Sequence, residues 1–299
     1  MAKQTTSTNP MIMRKAHGTT IPALGFGTWQ LKGDECQRSV HAALETGYRH
    51  IDTAQAYENE AEIGRVLNES GIPREELFLT TKIWREQLDA VSLQTSFEQS
   101  LDRLQTDYVD LLLIHWDNDE IPMDETLQAM NDLQDEGRVK QIGVSNFTVP
   151  RLHAAIEASR SPIFTNQIEY HPFLGQADIR AYCLSKHILL TAYCPIARGE
   201  VMKNEEISKI AEEHGKSPAQ VTLRWLLQQE QVVAIPKSSD PQHIRSNFDI
   251  FDFSLSAEEM NQIYRLERNQ RIIDPDFAPD WDKEKRGKMG TEEKMGTEK

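Results

Sequence analysis

Short apolar or β-branched runs alternate with segments of helical periodicity along most of this 299-residue chain, and that alternation constrains the fold more than any other feature. The strand-like runs fall at Ala23–Thr28, Arg49–Asp52, Leu77–Lys82, Val109–His115, Val139–Val144, Ile163–Ile168, Ile188–Ala192 and Gln231–Ile235. After the first comes one helix, and the others are followed by Glu60–Ser70, Ser92–Leu104, Met123–Glu136, Pro150–Ala158, Ala177–Ser185, Asn204–His214 and Asp240–Phe248. Parallel strands cannot be joined by a tight turn, and an intervening helix is the usual crossover. Eight such units predict an α/β fold, a closed (β/α)8 TIM barrel in a single domain, in preference to an open doubly wound sheet. One further helix is expected over Pro218–Gln229, where Ser217 can cap the first turn and Pro218 can occupy it.

No Pro/Gly/Ser-rich linker divides the repeats, so one domain is expected. Residues 1–16 read as a flexible N-terminus and the start of a hairpin, and 271–282 as a C-terminal loop. The tail 283–299 repeats Lys-Met-Gly-Thr-Glu at Lys288–Glu292 and Lys294–Glu298, a composition expected to be disordered. A net charge of −14 opposes nucleic-acid binding, which calls for a basic face. Cys36, Cys183 and Cys194 are far apart, which suggests a reducing compartment and no disulfide framework. With no signal-peptide core and no apolar run long enough to cross a bilayer, the expectation is a cytoplasmic monomer without membrane contact. No His/Asp/Glu set has metal-ligand spacing, so no metal is expected.

In such a barrel the chemistry gathers where the strands end. Three successive strands end on Asp52, Lys82 and His115, and Tyr57 follows Asp52 by five residues. Singly, each has an ordinary structural reading: an ion pair closing the mouth, a satisfied core histidine, a tyrosine packing at a helix start. Jointly they match a proton-donor site. A phenol is a poor acid near neutrality, an ammonium beside it is expected to lower its pKa, and a carboxylate keeps that ammonium charged and placed. An imidazole can hydrogen-bond and orient a carbonyl oxygen.

The motifs around these residues resemble those of the aldo-keto reductase family, and their order along the chain implies a barrel over residues 17–270. They are Gly47-Tyr48-Arg49-His50-Ile51-Asp52-Thr53-Ala54 with Tyr57-Glu58-Asn59-Glu60, Thr81-Lys82-Ile83-Trp84, and Asp110-Leu111-Leu112-Leu113-Ile114-His115-Trp116. Further along stand Ile142-Gly143-Val144-Ser145-Asn146-Phe147, Asn166-Gln167-Ile168-Glu169-Tyr170-His171-Pro172 and Ile235-Pro236-Lys237-Ser238. The ending Ala278-Pro279-Asp280-Trp281 is most similar to the bacterial 2,5-diketo-D-gluconate reductase branch. The resemblance implies an NADP-dependent oxidoreductase acting on CH–OH groups and their carbonyls: small aldehydes, α-dicarbonyls or keto-sugars of the 2,5-diketo-D-gluconate or methylglyoxal type. Tyr57 is then the acid, Lys82 its tuner, Asp52 the holder of Lys82, and His115 the group that orients substrate. The runner-up is a regulatory subunit that keeps the fold and binds cofactor.

The same resemblance implies that Ser145, Asn146 and Gln167 hold the carboxamide of the cofactor and that Tyr193 stacks on its nicotinamide ring. Trp29, Trp84 and Trp116 follow three strand ends and are expected to wall the substrate pocket beside His115. At the adenosine end Lys237, Ser238 and Asn247 match the family pattern, whereas His243 stands where many members carry arginine. Asp240 adds a carboxylate that should repel a 2′-phosphate. The expectation is NADPH as the usual cofactor, with NADH discriminated against less than is normal for the family. Cys194 stands where serine is common, a near-isostere expected to weaken one hydrogen bond.

Overall fold

A computed structural model of the chain describes residues 11–281. Residues 1–10 of the N-terminus expected over 1–16, residue 282 of the expected C-terminal loop and the tail 283–299 lie outside the described residues. The described part opens with a hairpin, β1 (Met13–Ala16) and β2 (Thr19–Pro22). Its two-residue turn is His17-Gly18, both at positive φ (46° and 85°), the twist that tight hairpins require.

Eight parallel strands follow: β3 (Phe26–Gly27), β4 (His50–Asp52), β5 (Phe78–Ile83), β6 (Val109–Ile114), β7 (Val139–Ser145), β8 (Thr165–Glu169), β9 (Leu189–Tyr193) and β10 (Val232–Ala234). Each pairs with the next in sequence order. A parallel bridge between Leu24 and Ala234 closes the ring, with Gly25 N donating to Ala234 O at 2.9 Å and Ala234 N to Ala23 O at 2.8 Å. The expected (β/α)8 barrel is therefore what the chain forms.

The crossovers are α1 (Gly33–Thr46), α2 (Glu60–Glu69), α3 (Ala90–Leu104), α4 (Met123–Asp135), α5 (Val149–Ala158), α6 (Ala177–Ser185) and the pair α7 (Glu205–His214) and α8 (Pro218–Gln228). Ser217 caps α8 with a reciprocal Gln220 bond, the start that Ser217-Pro218 signalled. Beyond β10 come α9 (Pro241–Phe248) and α10 (Ala257–Tyr264). The last was not anticipated, although Ser256 and Glu259 form a capping box that marks its start. Its apolar face is too short for periodicity to announce it.

Two apolar cores result. Helix faces such as Ile63, Val66 and Leu67 of α2 and Leu93, Phe97 and Leu101 of α3 pack on the outside of the barrel wall. Inside the barrel, Phe78, Leu111, Leu113, Phe164, Leu189 and Val233 meet Ala16 and Ile21 of the hairpin, which plugs the floor. Arg14 rivets that plug, donating to Val232 O, Leu227 O and Gln229 O. The one charge within β6, Asp110, is neutralised by Arg74 at 2.8 Å and Lys140 at 2.9 Å while accepting from Leu79 N. With the floor sealed and the wall apolar, the C-terminal rim is left for polar side chains.

Close approach of α2 to α3 depends on Gly64. A Cβ there would lie 2.4 Å from Arg103 O and 2.5 Å from the Leu104 carbonyl carbon, both backbone atoms. Gly64→Ala should therefore destabilise the protein by about 1–3 kcal/mol, despite alanine's better helix propensity. Denaturant unfolding of the two proteins checks this; a stabilised variant would disprove the tight contact.

Candidate active site

The rim is built on a buried ion pair. Asp52 ends β4 and Lys82 lies one residue before the end of β5, so register brings the two side chains together. Lys82 Nζ donates to Asp52 Oδ1 at 2.5 Å and to Thr53 O at 2.8 Å, and both residues are shielded from solvent. The other carboxylate oxygen accepts from Gln167 Nε2 at 2.7 Å, a bond from β8 across the barrel. Each charge thus has the partners that burial demands.

Tyr57 is delivered by a short 3-10 turn, Gln55–Tyr57, ended by Glu58 at φ 51°. Buried Asn59 fixes that turn by donating to Thr28 O and Leu31 O and accepting from Thr53 Oγ1. Gln55 ties it to the next loop, accepting from Trp84 N at 3.1 Å. The result sets Tyr57 Oη 3.3 Å from Lys82 Nζ, with the ammonium 4.7 Å from the ring centroid. His115 packs edge-on to Tyr57 (5.5 Å) and to Trp84 (5.2 Å). All four residues expected to transfer or direct the proton therefore meet at one point of the rim.

Ser145, Asn146, Gln167 and Tyr193 form a second, contiguous set. Tyr193 Oη donates to Asn146 Oδ1 at 2.7 Å, and Asn146 Nδ2 donates to His115 O and Ser145 Oγ. Ser145 Oγ donates to Gln167 O at 2.9 Å. Asn146 holds φ 65°, a left-handed conformation that asparagine tolerates better than most residues. Gln167 belongs to both sets at once, because its amide binds Asp52.

The model of the aldo/keto reductase family matches residues 23–268. The chain belongs to the aldo/keto reductase family. It is 44% identical over 266 residues to a methylglyoxal reductase of Escherichia coli, covering 88% of this chain and 99% of that one. A glyoxal reductase of Bacillus subtilis is also 44% identical, over 86% and 92% of the two chains. Among solved structures, a putative 2,5-diketo-D-gluconic acid reductase B superposes with a TM-score of 0.90 at 42% identity, over 92% of this chain and 98% of that one.

In this aldo/keto reductase the electrostatics differ from the sequence expectation at one point. Burial raises the Tyr57 phenol well above its usual 10, and the Asp52 carboxylate adds to the effect. The expected lowering by Lys82 does not prevail, because Lys82 spends its charge on Asp52 and is itself pushed down by burial. His115 is held neutral, far below 6.5, by burial and then by Lys82. Its buried Nδ1 has no hydrogen-bond partner among the described residues.

The aromatic residues divide. Trp84 and Trp116 face a common neighbour, Phe277, at ring-centroid distances of 5.7 and 5.4 Å. Trp29 is 38% exposed and lies instead under the Arg198 guanidinium, 5.0 Å away. Phe277 escaped the sequence reading; its only signal was position in the loop after residue 271. Cys194, at φ 49°, has its thiol pushed up to about 11 by burial and hydrogen-bonds Arg198.

At the far rim, Asp240 is the N-cap of α9, accepting from Gln242 N at 2.7 Å and donating its own N–H to Ser238 Oγ at 3.1 Å. His243 is exposed, with Nδ1 3.9 Å from the Asp240 carboxylate. Lys237 is half-buried, and Asn247 is buried on α9.

Beneath the rim, fully buried His50 is lowered from 6.5 to about 4 by burial. Between those values the unfolded chain binds a proton that the native chain refuses, so stability falls as pH falls. The stability difference between wild type and His50→Asn should accordingly move by roughly 3 kcal/mol against wild type from pH 7.5 to 4. Unfolding measured at the two pH values checks it, and a pH-independent difference would refute the neutral buried imidazole.

Proposed function

We propose that this aldo/keto reductase reduces the carbonyl of small aldehydes, α-dicarbonyls or keto-sugars with a reduced nicotinamide cofactor, and that Tyr57 supplies the proton. The observation that carries the proposal is the Tyr57 hydroxyl, 3.3 Å from the Lys82 ammonium and beside a neutral His115. The names of the similar enzymes, which act on methylglyoxal and glyoxal, support the substrate class.

The residues present fit such a cofactor. Tyr193 offers a partly exposed ring, and the amide and hydroxyl groups of Ser145, Asn146 and Gln167 adjoin it. These four would hold the nicotinamide end, and Lys237, Ser238, His243 and Asn247 the adenosine end. The group supplies a hydride to the carbonyl carbon when bound.

The protein's part is to polarise the carbonyl and deliver a proton. A neutral His115 donates through its Nε2–H to the carbonyl oxygen, orienting it and drawing electron density toward it. As that oxygen becomes an alkoxide, a stronger base than phenolate, Tyr57 transfers its proton. The raised phenol pKa keeps this proton in place until the alkoxide develops. Lys82 then stabilises the phenolate left behind, and Asp52 keeps Lys82 charged. Trp84 and Trp116 wall the substrate side; Trp29 borders the site from the loop after β3. The matching form is a monomer in the cytoplasm, a compartment that three free cysteines support.

Tyr57→Phe should lower kcat by about 10²–10⁴-fold on methylglyoxal or an aromatic aldehyde, with the cofactor dissociation constant unchanged. Near wild-type turnover would remove Tyr57 from the mechanism.

The usual cofactor in this reading is NADPH, with weak discrimination against NADH. Asp240 cannot swing away from an incoming 2′-phosphate without uncapping α9, and exposed His243 offers less positive charge than an arginine. The ratio of kcat/KM for NADPH over NADH should lie below about a thousandfold, or ~4 kcal/mol. A larger ratio overturns the assignment of weak discrimination to Asp240 and His243.

A further inference from the structure

The chain that leaves α10 returns across the loop after β8, and its attachment there involves a buried carboxylate that the proton chemistry does not use. Phe173 O accepts from Arg268 N at 3.3 Å and Gln270 N at 2.9 Å, and the Arg268 guanidinium lies 4.2 Å from the Phe173 ring centroid. Next, Glu169, the last residue of β8 and wholly shielded from solvent, takes over. Its Oε1 accepts from Ile272 N and its Oε2 from Ile273 N, both at 2.8 Å. Oε1 also meets His171 Nε2 at 2.8 Å. Phe173 N donates to His171 Nδ1 at 3.3 Å, which fixes the tautomer and leaves Nε2–H to donate to Glu169.

Three donors therefore converge on one side chain. A carboxylate is acceptor-only and can take all of them, whereas an amide would oppose N–H to N–H at one position. Burying a charge here is costly unless every partner is in place, so the arrangement demands a backbone that stays put. Four residues beyond Ile273, Phe277 stands edge-on to Trp84 and Trp116, with the Arg85 guanidinium 4.9 Å from its centroid. Phe277 is 37% exposed, so its position owes more to the backbone that carries it than to burial.

We propose that Glu169, oriented by His171, is a positioning residue for substrate: it clasps the backbone at Ile272 and Ile273 and so holds Phe277 against Trp84 and Trp116 as the outer wall of the pocket. The proposal rests on the carbonyl-reductase reading and deepens it. Aryl-substituted carbonyls are long enough to touch that wall and depend on the clasp. Carbonyls the size of methylglyoxal react at the Tyr57–His115 point without reaching it.

Glu169→Gln, Phe277→Ala and the double variant, assayed on methylglyoxal and on benzaldehyde, test this alongside amide hydrogen exchange over residues 272–277. Glu169→Gln should raise KM for benzaldehyde by about three- to tenfold, the value of lost aromatic contacts, and change kcat and the methylglyoxal KM by less than about twofold. Phe277→Ala should do the same, and the double variant should be no worse than the more severe single one, because both remove one interaction. Exchange at Ile272 and Ile273 should accelerate in Glu169→Gln and stay slow in Phe277→Ala. Parallel loss with both substrates, or additive effects in the double variant, overturns the proposal. Should Glu169→Gln fail to fold, Phe277→Ala and wild-type exchange decide: a substrate-selective KM with slow amides upholds the clasp, and fast amides at 272 and 273 refute it. An inactive wild type overturns the reductase reading and with it the substrate role, whereas fast exchange in an active wild type overturns the clasp alone.

Discussion

The Asp52–Lys82 ion pair is the constraint around which the rim is arranged. Two unit charges are held 2.5 Å apart with almost no access to water, and desolvation on that scale is repaid only by complete hydrogen bonding. Lys82 reaches Asp52, Thr53 O and Tyr57, while the second oxygen of Asp52 takes the Gln167 amide from the opposite wall. Moving any one of these would strand a buried donor or acceptor. The pair therefore fixes the direction of the Tyr57 hydroxyl and couples the Tyr57–Lys82 cluster to the amides beside Tyr193. A barrel supplies such a crossing bond cheaply, because strands distant in sequence face each other across its interior.

Around that rigid centre the protein uses the connecting loops for shape. The Gln55–Tyr57 turn, the left-handed Asn146 and the strap ending at Phe277 are irregular backbone, each tied down by a buried side chain: Asn59, the Ser145–Gln167 chain and Glu169. Ser145, Gln167 and Glu169 lie in strands and Asn59 stands at the N-cap of α2 while binding the loop after β3, so these loop positions inherit the precision of the barrel and its helices. The outer surface of the rim is then set by what the loops carry, Cys194 after β9 and Asp240 with His243 at the start of α9 among them.

Much of this was legible in the chain itself. The placing of Asp52, Lys82 and His115 at or within one residue of strand ends followed from where apolar runs stop, and Tyr57 from its distance to Asp52. The wall of β6 was legible even with Asp110 inside it, since a single buried charge can be neutralised by neighbours. Helix α10 was not, because its capping box is the main local mark it carries. Phe277 was not, because a loop aromatic has no periodicity to report which rings it will meet. The division of the tryptophans was equally hidden: Trp29 follows a strand end just as Trp84 and Trp116 do, and only the fold shows that its ring meets Arg198 whereas theirs meet Phe277.

The sign of the Tyr57 perturbation marks the boundary between the two kinds of information. Residue types and spacing determined the repeat, the barrel and which groups reach the rim, because hydrophobic period and strand direction are local properties. They could not decide whether lysine or burial governs the phenol. That balance depends on depth, on the competing claim of Asp52 on Lys82, and on a glutamine arriving from the far wall. These are distances between residues remote in sequence, and only the closed barrel sets them.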